Sequence, residues 1–253
     1  MQIPLLLYHQ INHIPVEKDP YRISVSPEQF ERQMAYLRQH EYTALTLSQA
    51  FQKATKGEPL PQRPVVISFD DGYRDNYTTA FPMLKQYDLT ATIFLVTGQI
   101  GDYNNWDQSS PDEAFALMTW EQVREMEAAG IEFGSHTHTH AALDMLDHDA
   151  ATRELYTSRQ TLEEQLGHPV MTLAYPYERF TRETLDIAKH CGYIAACGSS
   201  LLPESPFNLW RAEIGTDVTE ASFRFKLSPW WRRTQQAKRQ LRPIKRLLLG
   251  SRS

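Results

Sequence analysis

Two short stretches hold residues whose types and spacing suit metal-assisted chemistry: Ser68-Phe69-Asp70-Asp71-Gly72 and Ser135-His136-Thr137-His138-Thr139-His140. One carboxylate with two imidazoles is a usual open ligand set for a catalytic divalent ion, leaving coordination positions for water and substrate. A second carboxylate beside the first can take a proton from that water, which completes a minimal kit for hydrolysis. Adjacent acids closing an apolar run such as Val65-Val66-Ile67-Ser68-Phe69 repel unless a cation compensates. Taken alone, Asp70-Asp71-Gly72 reads equally as a helix-capping turn. His136 and His140 share a face if their segment is helical, whereas in an extended segment His136, His138 and His140 share it. The spacing leaves that choice open. A third stretch, Ala174-Tyr175-Pro176-Tyr177, is an aromatic turn closing another apolar run.

The elements that must position these groups follow from hydrophobic pattern. Apolar runs at residues 3–8, 42–45, 65–69, 90–96, 131–133, 170–174, 193–196 and 209–214 alternate with amphipathic stretches. That order predicts βα units around a mainly parallel sheet. All three motifs then fall at carboxyl ends of strands, where sites form in such folds. Helix starts are expected at Ser26, with Pro27 at the first position and Gln29 as capping-box partner, at Ser48, and at Thr119 with Glu121. A long helix over 149–166 should stop at Gly167 and Pro169, and another over 181–190 at Gly192. Trp106, Trp120 and Trp210 read as core or rim packing, and aromatic rims also suit sugar stacking.

With 253 residues, 41% hydrophobic and 23% charged, the chain has the make-up of a soluble globular protein with room for one large α/β domain. Cys191 and Cys197 are too few for a disulfide scaffold and read as reduced residues packed near a late strand. Residues 1–9 lack a basic n-region and read as a first core strand. No stretch reaches transmembrane length, so the expected location is cytoplasmic. The net charge of −5 is unevenly spread. From residue 221 onward there are ten basic residues and no acid, leaving 16 basic and all 31 acidic residues in a body near −15. The expected division is a domain over 1–220 and a basic amphipathic C-terminal tail over 221–253. The tail, with Trp230-Trp231 and mixed basic and apolar residues over 238–249, reads either as a disordered solvated end or as an arm for an anionic surface. An acidic body repels nucleic acid, so the expected partner of residues 224–253 is an anionic membrane, on its cytoplasmic face.

Together these residues resemble the polysaccharide deacetylase family, the NodB-homology carbohydrate esterases of family 4. Ser68-Phe69-Asp70-Asp71-Gly72 looks like its first motif and His136-Thr137-His138-Thr139-His140 its second, and the likeness covers about residues 1–215. It implies an α/β fold, a distorted (β/α) barrel of about seven strands. It implies zinc, or cobalt, nickel or manganese, on Asp71, His136 and His140, with Asp70 as catalytic base. Tyr175, Pro176 and Tyr177 would meet substrate, the Tyr177 backbone N–H facing the oxyanion. The implied reaction removes N-acetyl groups from amino sugars of a polysaccharide or glycan precursor. Tyr8-His9 and Arg211-Ala212-Glu213-Ile214 resemble the branch with bacterial exopolysaccharide N-deacetylases, which makes Arg211 a late-strand site candidate. Three positions depart from the pattern. Ala174 replaces the usual arginine two residues before the proline, Glu178 stands where glycine is frequent, and no histidine follows His190 to serve as the late general acid. His9 and His138 are the remaining candidates for an acid or orienting group. Rival readings are an O-acetyl esterase or deformylase on a lipid-linked sugar, or a carbohydrate-binding pseudoenzyme.

Overall fold

In the computed structural model, which describes residues 3–106 and 114–249, each expected apolar run contains a strand. In chain order these are β1 (Leu5–Tyr8), β2 (Thr43–Ala44), β3 (Pro64–Phe69), β4 (Thr92–Leu95), β5 (Glu132–Ser135), β6 (Thr172–Ala174), β7 (Ala195–Gly198), β8 (Leu209–Trp210) and β9 (Ala212–Glu213). They run in the order β8-β7-β6-β5-β4-β3-β1-β9 with β2 beside β3, and the strand pairings are parallel. The run over 209–214, expected as one strand, is interrupted at Arg211. Its first half pairs with β7 and its second with β1, so it joins the two edges of the sheet. The result is a nearly closed, distorted (β/α) barrel with seven strands around the ring if β8 and β9 are taken as one.

Strand alternation sorts side chains between lumen and helices. Leu5, Val66, Phe94, Ala174, Ala195, Cys197 and Leu209 form one buried cluster in the lumen. Their neighbours Leu6, Ile67, Phe69, Ile93, Phe133, Leu173 and Trp210 belong to a second cluster under the helices. Those helices are α1 (Pro27–Gln39), α2 (Leu47–Lys56), α3 (Phe81–Gln86), α4 (Trp120–Ala128), α5 (His148–Leu166), α6 (Arg182–His190), α7 (Glu220–Leu227) and α8 (Pro229–Leu249). Both cysteines are free and buried.

Local capping differs from expectation in two places. Ser26 caps α1, but the Gln29 amide donates to the Val218 carbonyl at 2.7 Å and does not return to the cap. Helix α2 is capped by Thr46, with Gln49 closing a reciprocal box, while the Ser48 N–H donates to Glu132. Thr46-x-x-Gln49 can satisfy two orphan donors at once, which Ser48 cannot.

The tail is helical to Leu249 and its first half is part of the packed body. Phe223, Leu227, Trp231 and Arg232 are buried. Arg232 pairs with Glu204 and donates to the carbonyls of Ile3 at 3.0 Å and Trp210 at 3.3 Å. The boundary expected at 220 therefore runs through packed structure, and cutting at 224 would remove buried side chains. Residues 250–253, with Arg252 of the tail, lie outside the described residues.

After β1 the chain is pinned by Asp75 and Asn76. Asp75 accepts from the Ile11 N–H at 3.0 Å, and the Asn76 amide donates to the His9 carbonyl at 2.8 Å. Burial pushes the Asp75 carboxyl up to about 7. An unfolded aspartate titrates near 4, so between these values the folded state holds the proton more and stability falls as pH rises. Asp75→Asn should flatten that fall. At pH 8 it should be more stable than the parent by about 2 kcal/mol in urea unfolding, a discounted share of the roughly three-unit shift. Parallel stability–pH curves for the two proteins would refute it.

Candidate active site

On β3 the alternation that turns Val66 and Ser68 into the lumen brings Asp70 there next, at the upper rim. The chain then enters the left-handed region at Asp71 (φ 73) and Gly72 (φ 77). A Cβ at Gly72 would lie 2.6 Å from the Leu95 side chain, so only glycine fits that turn. The turn carries the second carboxylate back over the lumen. Asp71 Oδ1 lies 3.4 Å from His136 Nε2 and 3.2 Å from His140 Nε2, which disposes of the helix-cap reading.

His136 follows β5 on the lumen face, above Gly134, where a Cβ would sit 2.6 Å from Thr172 Oγ1 and 2.7 Å from the Phe94 ring. Its Nδ1 lies 2.8 Å from the Ala174 carbonyl, and we assign the proton there, which leaves the Nε2 lone pair facing Asp71. The segment to His140 is neither helix nor strand. Thr137 (φ 66) and His140 (φ 62) are left-handed, and Glu154 on α5 accepts from the N–H groups of His138 and Thr139 at 2.9 Å each.

One ligand atom each from Asp71, His136 and His140 lies within 4.8 Å of the others. Asp71 Oδ1 is buried among them without a hydrogen-bond partner in this structure. A carboxylate oxygen in that position, facing two ring nitrogens, fits a divalent cation.

Asp70 is held differently. Arg211, at the break between β8 and β9, donates from both Nη atoms to its two oxygens at 2.6 Å each. The guanidinium also lies over the Phe94 ring, 5.5 Å from its centroid. Burial works to raise the Asp70 carboxyl, yet Arg211 and His136 outweigh it and hold it below the usual range. Burial opposes ionisation of Asp71 too, and His136 and His140, when protonated toward it, hold it well below that range. Asp70, Asp71, His136, His140 and Arg211 are each at most 6% exposed.

Above these groups opens a cleft of roughly 320 Å³, with His9, Tyr21, Tyr177, Glu178 and Glu213 on its walls. His9 is there, its Nδ1 buried without a hydrogen-bond partner. His138 is turned away, its Nδ1 3.0 Å from Thr97 Oγ1. Tyr175 and Pro176 are buried beneath the rim, the Tyr175 ring stacked on Phe180. Tyr177 (φ 57) stands edge-on to His140 at 4.5 Å, and Trp106 stacks on the same imidazole at 4.4 Å. Burial raises the Glu178 carboxyl. Sequence reading passed over Tyr21 and Glu213 as wall residues. The alternation Leu209-Arg211-Glu213 carried the signal for Glu213, whereas Tyr21 comes from an irregular loop with none.

The polysaccharide deacetylase family model matches residues 57–196. YxkH of Bacillus subtilis (strain 168), provisionally named a polysaccharide deacetylase, is 31% identical over 88% of this chain and 75% of its own length. A poly-beta-1,6-N-acetyl-D-glucosamine N-deacetylase of Staphylococcus aureus (strain MRSA252) is 33% identical over 69% of this chain. The match spans 61% of that relative's length. The Streptococcus pyogenes deacetylase PplD, solved in complex with acetate, superposes with a TM-score of 0.78 and 26% identity, covering 90% of this chain and 98% of that one.

Two measurements test this arrangement. The parent should bind one equivalent of divalent metal by elemental analysis, and His136→Ala and His140→Ala should each lose most of it; full stoichiometry in both would remove the ligand assignment. Arg211→Met leaves a buried carboxylate unpaired and should cost about 3–5 kcal/mol in denaturant unfolding. A cost under about 1 kcal/mol, the size of an exposed pair, would mean the pair is not buried as described.

Proposed function

Because this chain belongs to the polysaccharide deacetylase family, we propose that it is a metal-dependent hydrolase that removes N-acetyl groups from amino sugars of a polysaccharide or glycan precursor. The carrying observation is the division of two adjacent carboxylates. Asp71 joins His136 and His140 in a ligand group, while Asp70 is held ionised beside it and outside it. The name of the Staphylococcus aureus relative supports an acetylated amino sugar as substrate, and the Streptococcus pyogenes deacetylase, solved with acetate, supports removal of an acetyl group.

Asp71, His136 and His140 would hold a divalent ion, zinc being suited to that donor set, and such an ion when bound would polarise the acetyl carbonyl and make a water more acidic. Asp70 accepts the proton from the attacking water. Arg211 fixes the plane of that carboxylate, so the lone pairs left free on its two oxygens keep fixed directions. Tyr177, turned by its positive φ beside His140, brings its backbone to the side where the oxyanion forms. The leaving amine needs a proton, and His9, Glu178 and Glu213 are cleft-wall groups able to carry one; His138 faces elsewhere. The pseudoenzyme alternative rests on Ala174 in place of an arginine and on the missing late histidine, and only the first is met by another residue. An arginine does reach Asp70, from position 211.

Mass spectrometry of acetylated amino-sugar oligosaccharides, with matched ester and formyl substrates, should show acetate release from the amide. Asp70→Asn should lower that turnover by about two to four orders of magnitude with metal content unchanged. Loss of metal in this variant would reassign the two acids, and turnover of esters alone would replace the deacetylase reading with the esterase one.

A further inference from the structure

Helix α8 has two unlike sides. Trp231 and Arg232 are buried against the barrel, and Gln235 and Arg239 continue that side half-buried. At 3.6 residues per turn these four lie within about 100° of one another. Trp230, Ala237 and Leu241 fall within about 40° of each other on the opposite side. All three are exposed, Trp230 at 62% and Leu241 at 51%. The sequence repeats the same spacing at Ile244 and Leu248. An amphipathic helix on a protein surface normally turns its apolar stripe inward. Here the inward side carries one tryptophan and polar groups, and the stripe faces out.

The charges around that stripe select its partner. The Arg233 guanidinium lies 4.7 Å from the centroid of the Trp230 ring, and Lys238 follows Ala237 on the exposed surface. No acid occurs from residue 221 on, against ten basic residues. A second copy of this chain would set two such cationic helices against each other. A long polyanion such as nucleic acid would meet the acidic body, near −15, as well as the helix. A flat anionic surface would approach the helix from the side that faces away from the barrel, where Trp230, Ala237 and Leu241 are exposed.

From this geometry we infer that α8 docks along the surface of an anionic lipid bilayer. Trp230, Ala237 and Leu241 enter the headgroup–acyl boundary, and the flanking Lys and Arg residues meet lipid phosphates. No described helix is long and apolar enough to cross a membrane, and the contact inferred here lies along the surface.

Sedimentation of the full chain with vesicles tests this. Binding to phosphatidylcholine–phosphatidylglycerol vesicles at low salt should exceed binding to phosphatidylcholine alone by about tenfold or more, and should weaken as salt screens the lipid charge. Trp230→Glu and Leu241→Glu should each lower it about tenfold, with thermal midpoint and acetate release unchanged, because both side chains face away from the barrel. Lys238→Glu should weaken binding and reduce its salt dependence. Equal binding to neutral and anionic vesicles, or unaltered binding by both glutamate variants, would overturn the inference. So would a parent dimer in analytical ultracentrifugation that Leu241→Glu dissociates, since a second copy would then be the occupant.

Discussion

Asp70 and Asp71 are neighbours in sequence and both are out of water, so their mutual repulsion has to be answered inside the barrel. Each receives a different answer. Asp70 is claimed on both oxygens by the Arg211 guanidinium, whereas Asp71 faces two neutral-capable imidazoles that compensate fully only when a cation joins them. The proposed chemical roles follow from those partners. A carboxylate already paired with a guanidinium is a poor metal ligand but a well-oriented proton acceptor, and a carboxylate facing two ring nitrogens is the reverse. Buried ion pairs of this kind are weak contributors to stability, and an apolar replacement of the whole set would be about neutral or better. Their presence points to chemistry more than to folding.

The rim pays for this arrangement in backbone strain. Among the described residues, nine that are not glycine have positive φ, and five of these, Asp71, Thr137, His140, Tyr177 and Glu178, sit at the site. Each costs on the order of 1–2 kcal/mol unless neighbours enforce it. Glu154 does so for the loop between the histidines, and the tight packing of Gly72 on Leu95 does so for the aspartates. The ligand directions are thus set by loops whose shape is fixed from below by α5 and β4.

Strands and the first two motifs were legible because their signals are local: run length, alternation and a polar group at the end of a run. The same alternation places Arg211 on the lumen face with Leu209, yet its partner Asp70 is 141 residues away, and no local pattern announces that pairing. Spacing alone could not separate His138 from His136 and His140, because two left-handed residues in the loop break both the helical and the extended period. The charge of the tail was readable, but its division into docked and exposed sides was not. Trp230 and Trp231 are adjacent and identical in type, and only contact with Ile3, Trp210 and Glu204 through Arg232 shows which way the helix faces.

The strand that carries Arg211 is also the last part of the barrel to leave the ribosome. A nascent chain exposed only as far as β7 already contains both aspartates and both histidines, but its sheet has two open edges and its acid pair has no guanidinium. Emergence of residues 209–213 joins those edges and neutralises Asp70 together. Closure of the sheet and pairing of Asp70 with Arg211 therefore fall in one step of synthesis. A chain that stopped before Arg211 would have a sheet with two open edges and an Asp70 without its guanidinium.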